Sequence, residues 1–267
     1  MQYLLLSPYN VLMHSAIHSK FLSFKPTLIG YIENFNTSGR LFVDGERNKI
    51  KLFELDEITI NIKSFKVPNI VNRVAYKFFR KSKARRSFEF ANRLIESGIG
   101  TPQPIAYFEQ ESLLGFANSY YVSEQLNVDL TFRELVEIPD YPDWENILRQ
   151  FIRFSFWLHE KGIEFLDHSP GNTLIKKAGN EQYEFYLVDL NRMNFHDIAL
   201  DFETRMKNLS HLTPKKSMVS LMSNEYAKLY QTKTEYQIMQ SMWFYTDDFQ
   251  KKYQKKIKLK KRLLLRK

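Results

Sequence analysis

The sequence predicts an α+β chain of two lobes: a small β-rich N-terminal lobe with one main helix, then a larger, mainly helical C-terminal lobe. Three observations predict it. At 267 residues, with 43% apolar and 26% charged residues, the chain can bury a sizeable core as one large domain or two lobes sharing a cleft. Apolar alternation and turn signals dominate up to about residue 126, interrupted by one helical pattern. Beyond that point apolar residues recur mainly at helical spacing.

The elements follow in order. Residues 1–25 read as a weakly specified extension, in which Met1-Gln-Tyr-Leu-Leu-Leu6 lacks a basic start and is interrupted by Pro8 and Asn10. That pattern argues against a secretory signal. Residues 26–126 form the first lobe. Its stretch 28–66 reads as β-rich, with strands over 50–53 and 58–63, the second strictly alternating, and a turn at Asp44-Gly45. A basic stretch over 69–83 precedes a helix over 84–97. Phe88, Ala91, Leu94 and Ile95 form its buried face and Gly98 its stop. Thr101-Pro-Gln-Pro104 forces an extended turn, and strands follow over 105–109 and 119–125.

The second lobe spans 127–250. Thr131-Phe-Arg-Glu134 is a capping box opening a short helix. Asp143 caps a longer one in which Ile147, Leu148, Phe151, Ser155 and Leu158 keep helical spacing up to Gly162. Residues 197–250 read as helices rich in Met, Tyr and Leu.

Composition removes several functions. There is no cysteine, hence no disulfide framework and no thiolate zinc site, which suits a reducing cytoplasm. No apolar run approaches the roughly 18 residues that span a bilayer. The net charge of +9 is concentrated in residues 251–267, which hold ten Lys and Arg and no acid, so the preceding 250 residues sum to −1. Such a basic tail suits an anionic membrane surface, with Leu263-Leu-Leu265 available to insert. Nucleic acid is the weaker partner for it, since one tyrosine and no recognition motif accompany the charge. A solvated tail of no special use is the plain alternative.

The chemistry concentrates in Phe165-Leu-Asp-His-Ser-Pro-Gly-Asn-Thr-Leu-Ile175 and Tyr186-Leu-Val-Asp-Leu-Asn-Arg192. Asp167, Asn172 and Asp189 stand at the spacing D-x4-N-x16-D, with strand-like residues after the Asn and before the second Asp. This set can hold a magnesium nucleotide over a hydroxyl group: Asp167 orients the attacking oxygen while Asn172 and Asp189 hold the metal. Asp, Ser, Pro, Gly and Asn also make ordinary turns, but the apolar run 185–188 leading into Asp189 favours the chemical reading. The set resembles the catalytic loop and metal-binding segment of the protein-kinase-like superfamily.

Around that centre, Lys63 ends an alternating strand on the face opposite Ile58, Ile60 and Ile62, where it can hold phosphates; Lys66 is its neighbouring competitor. Glu89 is the natural partner of that lysine, although Arg85 and Arg93 stand one helical turn away on either side. No G-x-G-x-x-G occurs; a hairpin around Gly45 with Arg47 is the phosphate-covering candidate. Arg192 can pair with Asp189, touch phosphate or simply face solvent. The basic, aromatic stretch from Arg73 to Arg86 can face an anionic glycolipid or simply solvent. His159, His168 and His196 are too scattered for a metal cluster and read as ordinary cleft or surface residues.

Over about residues 47–192 the chain resembles the lipopolysaccharide kinases that phosphorylate Kdo or heptose of the inner core. The phrases that carry the resemblance are Ile62-Lys-Ser-Phe-Lys-Val-Pro68, Ser82-Lys-Ala-Arg-Arg-Ser-Phe-Glu89, Gly98-Ile-Gly-Thr-Pro-Gln-Pro-Ile105, the D-x4-N loop and Val188-Asp189. The resemblance implies a protein-kinase-like fold, with ATP and Mg2+ as cofactors. It also implies a glycolipid acceptor met by a protein peripheral to the inner face of the cytoplasmic membrane. Carried over by position, Asp167 is the catalytic base, Asn172 and Asp189 are metal ligands, Lys63 is the phosphate lysine and Glu89 its partner. Two departures stand out. Phe165 occupies the position where the superfamily has a histidine, and the glycine loop is degenerate. A small-molecule or protein kinase of the same superfamily, or a nucleotide-binding pseudokinase, remain alternatives.

Overall fold

Alternating apolar side chains build the first of two units into which the chain divides. The computed structural model describes residues 2–6, 11–45, 48–65, 81–112 and 115–264. One unit comprises Met1–Asn127 with Asp189–Asn191, the other Val128–Val188 with Arg192–Lys267.

The first unit contains β1 (Gln2–Leu6), β2 (Val11–Ile17), α1 (Lys25–Glu33), β3 (Arg40–Asp44), β4 (Asn48–Leu55) and β5 (Ile58–Phe65). It continues with α2 (Lys83–Glu96), β6 (Pro104–Ser112) and β7 (Gly115–Glu124). The strands form one antiparallel sheet in the order β1-β2-β6-β7-β5-β4-β3. In β5 the even positions Ile60 and Ile62 are fully buried, so Asn61 and Lys63 emerge on the opposite face, as strand pleating requires. Ile60 and Ile62 share a core with Leu28, Ile32, Phe108 and Val122.

Ser82 caps α2 by accepting from the Arg85 N–H. The helix ends in a Schellman turn. The N–H of Gly98, at φ +71°, donates to Ile95 and that of Ile99 to Leu94.

Three expectations change here. Within the stretch read as a weakly specified extension, residues 2–6 and 11–17 form strands: β1 and β2 pair with each other and β2 with β6. Residues 28–33 belong to a helix, opened by a proline in its first turn and burying Leu28 and Ile32. Ile95 is 40% exposed; one residue past the buried row Ala84, Ser87, Ala91 and Leu94, it is turned about 100° off that face. The basic residues from 66 to 80 lie outside the described residues.

The second unit holds β8 (Leu130–Thr131), α3 (Phe132–Glu137), α4 (Trp144–Glu160), β9 (Ile163–Phe165), β10 (Thr173–Lys177), β11 (Tyr183–Leu187) and β12 (Met193–Phe195). It closes with α5 (Phe202–Leu209), α6 (Lys216–Leu229) and α7 (Glu235–Leu264). The strands pair as β11-β10-β8 and β12-β9. The Thr131–Glu134 capping box forms. Asp143 stands at the start of α4 in a left-handed conformation, φ +57°, and makes no side-chain cap. It accepts from the Tyr183 hydroxyl and the Asn146 amide instead.

Ile147, Leu148, Phe151, Ser155 and Leu158 are all fully buried along α4, and Ile147, Leu148 and Phe151 share a core with Phe132, Met206 and Tyr226. Gly162, at φ +66°, turns the chain from α4 into β9; a Cβ there would collide with the carbonyl oxygens of His196 and Ile198. The basic segment after residue 250 continues α7 as helix to Leu264. Among the described residues no helix is long and apolar enough to cross a membrane.

Candidate active site

The loop carrying Asp167 runs from β9 to β10 and is fixed at both ends. The Leu166 N–H donates to the Arg192 carbonyl and that of Val188 to Asn172. Inside the loop, Ser169 N–H donates to the Asp167 carbonyl, and Pro170–Asn172 forms a single 3-10 turn. The Asn172 side-chain amide nitrogen donates to the same Asp167 carbonyl at 2.8 Å. That bond leaves the amide oxygen as the free, hard donor atom of the side chain. β10 and β11 pair antiparallel from Thr173–Leu187 to Lys177–Tyr183, so the apolar hairpin inferred from sequence forms.

Asp167 Oδ1 accepts from Arg192 Nη1 at 2.8 Å. Arg192 was expected at Asp189 or at phosphate; it grips the other carboxylate. With one oxygen tied to the guanidinium, the second can accept a hydrogen bond from a hydroxyl.

Beneath this loop lies a buried network that sequence reasoning missed. Asn208, on α5, donates its amide to the Phe165 carbonyl at 2.8 Å. Its oxygen faces His168 Nδ1 at 3.0 Å and His159 Nε2 at 3.1 Å. His159 Nδ1 lies 2.9 Å from the Tyr226 hydroxyl, which accepts from Arg205. Arg205 is anchored to the Leu200 carbonyl and to Glu160.

An amide oxygen can only accept, so each histidine presents an N–H to Asn208. Burial lowers both imidazoles, His159 to about 3 and His168 to about 4, against the opposing pull of the Asn208 bond. The two histidines expected at the cleft or surface are therefore neutral core groups, while His196 is partly exposed beside Glu164. Phe165 is fully buried, its ring 5.6 Å from that of His168. The departure at Phe165 thus falls on a packing position whose carbonyl is what the network holds. The available signal for Asn208 was an amide on the apolar face of α5, between the buried Met206 and Leu209.

In the first unit, Lys63 Nζ lies 2.8 Å from Asp189 Oδ1, which also accepts from Asn191 at 2.7 Å. Lys63 sits 5.4 Å from the Phe65 ring centre. Asp189 has φ +59°, a left-handed conformation that aspartate tolerates better than most residues but that still costs energy.

The expected Lys63–Glu89 pair is replaced. Glu89 accepts from Lys81 at 2.7 Å and from Arg85 at 2.9 Å. Burial raises its carboxyl, but these two cations outweigh it and hold the group below the usual range. Arg47 and Lys66 lie outside the described residues. Among the described residues, no three His, Asp or Glu side chains converge on a metal site of their own.

A model of the lipopolysaccharide kinase (Kdo/WaaP) family matches residues 64–237. The match takes in Glu89, Asp167, Asn172 and Asp189 and begins one residue after Lys63. A solved structure described as WaaP in complex with acyl carrier protein superposes with a TM-score of 0.61 at 17% identity, over 91% of this chain and 98% of that one. At that identity the likeness is one of fold. No curated protein matches the sequence.

Proposed function

The chain belongs to the lipopolysaccharide kinase (Kdo/WaaP) family, and from that premise we propose that it transfers the γ-phosphate of ATP to a Kdo or heptose hydroxyl of the lipopolysaccharide inner core. The observation that carries the reading is the Lys63–Asp189 pair, which joins residues 126 apart in sequence at 2.8 Å. These are the two residues that the motif independently assigned to phosphate and metal.

Asp167 is the base in this proposal. Arg192 fixes one carboxylate oxygen, and the other receives the proton of the sugar hydroxyl as it attacks. Asn172 and Asp189 supply hard oxygen donors suited to magnesium, which takes few protein ligands and keeps phosphate oxygens as others. The bound ion would neutralise the charge of the phosphates. Lys63 holds the nucleotide phosphates, and Arg47 with the Gly45 hairpin covers them. Catalysis on these terms is mainly positioning and charge compensation.

The basic end of α7 is the membrane contact in this reading. Residues 251–264 continue the helix and carry most of the tail's cations, with Tyr253 and Leu259 exposed among them. An amphipathic basic helix lies against anionic headgroups, here those of the cytoplasmic leaflet. Removing residues 251–267 is expected to reduce binding to anionic liposomes at low salt, with little difference left at high salt; unchanged partitioning at low salt would refute it.

The decisive experiment is transfer of labelled γ-phosphate from ATP to a Kdo–lipid A acceptor and to its heptosylated form, with Asp167→Asn alongside. Label is expected in the glycolipid only with the wild-type protein, and the acceptor that takes it distinguishes Kdo from heptose. Equal labelling by both proteins would overturn Asp167 as the base.

A further inference from the structure

The second unit contains a cavity of about 420 Å³ walled by β9, the end of α5, the turn after it and α7. Its volume falls in the range of small-ligand sites. Leu166, the residue before Asp167, lines it, as do His211 and Phe249, whose rings lie 4.0 Å apart. Polar groups of both kinds surround this floor: Glu164 and Asp248 offer acceptors, Lys207 and Lys252 donors. Each is already held. Glu164 accepts from Asn194, Asp248 pairs with Lys252, and Lys207 pairs with Glu203 while lying 5.2 Å over the Tyr245 ring.

We propose that this cavity is the acceptor subsite, and that it takes a hydroxyl-bearing sugar ring packed against the His211–Phe249 ring pair, with its hydroxyls met by Glu164, Asp248 and Lys207. The proposal rests on the reading of the chain as a sugar kinase and deepens it. Three features select a sugar. A pyranose has an apolar C–H face that suits an aromatic floor and an edge of hydroxyls that both donate and accept. Two lysines balance two carboxylates, so a triphosphate finds no excess positive charge here. An acyl chain would bury four charged groups against hydrocarbon, at high cost. Position points the same way. Leu166 adjoins Asp167 in the chain, and His211 lies within reach of the Asp167 charge, which opposes the lowering of its pKa by burial.

Two readouts test it on the full chain. Saturation-transfer NMR measures binding of the methyl glycosides of Kdo and of heptose, and steady-state kinetics measures KM for a Kdo–lipid A acceptor and for ATP. Phe249→Ala and Asp248→Asn are expected to weaken sugar binding and raise acceptor KM at least tenfold, with KM for ATP within twofold. Tyr236→Ala, on the same helix but outside the cavity, is expected to change neither.

Transfer by the wild-type protein with acceptor KM unchanged in both variants would overturn the subsite and leave the kinase reading standing. Sugar binding lost in the variants, with no transfer by the wild-type protein to any acceptor, would support the subsite and count against the kinase reading. Absence of both sugar binding and transfer in the wild-type protein would overturn both.

Discussion

Lys63 and Asp189 meet at 13% and 33% side-chain exposure, whereas the loop carrying Asp167 is fastened from below by His159, His168 and Asn208, none more than 7% exposed. The first arrangement is an ion pair within reach of solvent, which contributes about 1 kcal/mol or less to folding. The second is a buried polar network, in which each group left without its partner costs about 1–3 kcal/mol. The contrast separates two ways of holding a reactive group. On the proposed function, the charges at Lys63 serve a ligand more than they serve the fold. Under Asp167 the fold itself sets the position of the carboxylate proposed as the base.

The largest expected effect comes from breaking the exposed side of this comparison. Lys63→Met and Asp189→Ala should each weaken magnesium-dependent nucleotide binding by about 100-fold or more, since a charge-assisted contact to phosphate is lost. Their melting temperatures should stay close to wild type. Isothermal titration with Mg-ATP, paired with thermal unfolding, checks both halves. A large fall in melting temperature would mean that the pair is structural and the comparison misdrawn.

Breaking the buried side should give the opposite pattern. Asn208→Ala leaves the Phe165 carbonyl and the N–H groups of His159 and His168 without their partner. A loss of about 3 kcal/mol in chemical denaturation is expected, with a fall in kcat and little change in nucleotide affinity. If stability holds and only nucleotide binding drops, the network does not seat the loop carrying Asp167.

A pH series sharpens the point without mutation. Both histidines are depressed in the folded chain, to about 3 and about 4, from an ordinary 6.5. Below 6.5 the unfolded chain therefore binds protons that the folded chain refuses. The stabilising contribution is fully present above pH 6.5 and is lost as the pH falls toward the folded values. Each imidazole contributes a slope of up to about 1.4 kcal/mol per pH unit in that window. His159 also faces the permanently charged Arg205, whose positive charge reinforces the refusal. Between pH 6.5 and 5, before most carboxylates titrate, unfolding free energy should fall steeply, and His159→Gln should flatten part of the slope. A flat wild-type profile there would refute the neutral core histidines.

What the sequence made legible follows the same division. The alternation of β5, the buried row of α4 and the D-x4-N loop with its hairpin could be read because each is a local pattern, complete within about 20 residues. β2 could not, because what makes it a strand is pairing across the sheet to β6, and β1 is then added at its edge. Asn208 could not either: its partners stand 40 to 49 positions away, and its place between Met206 and Leu209 marks a buried amide without naming them. Arg192 left Asp189, phosphate or plain solvent open from sequence, and its actual partner Asp167 stands 25 positions away.

Glu89 should give the smallest effect, and it tests a pairing that the structure rearranges. Its carboxylate is held by Lys81 and Arg85, themselves 52% and 29% exposed, while the charge of Lys63 is met by Asp189. Partly exposed pairs of this kind stabilise by about 1 kcal/mol or less. Glu89→Gln should therefore change KM for ATP by less than about threefold and leave unfolding within about 1 kcal/mol of wild type. Steady-state kinetics with varied ATP decides it. A loss as large as that of Lys63→Met would mean that Lys63 exchanges Asp189 for Glu89 during turnover. The Lys63–Glu89 pair expected from sequence would then belong to the working state, with the Lys63–Asp189 pair as its resting counterpart.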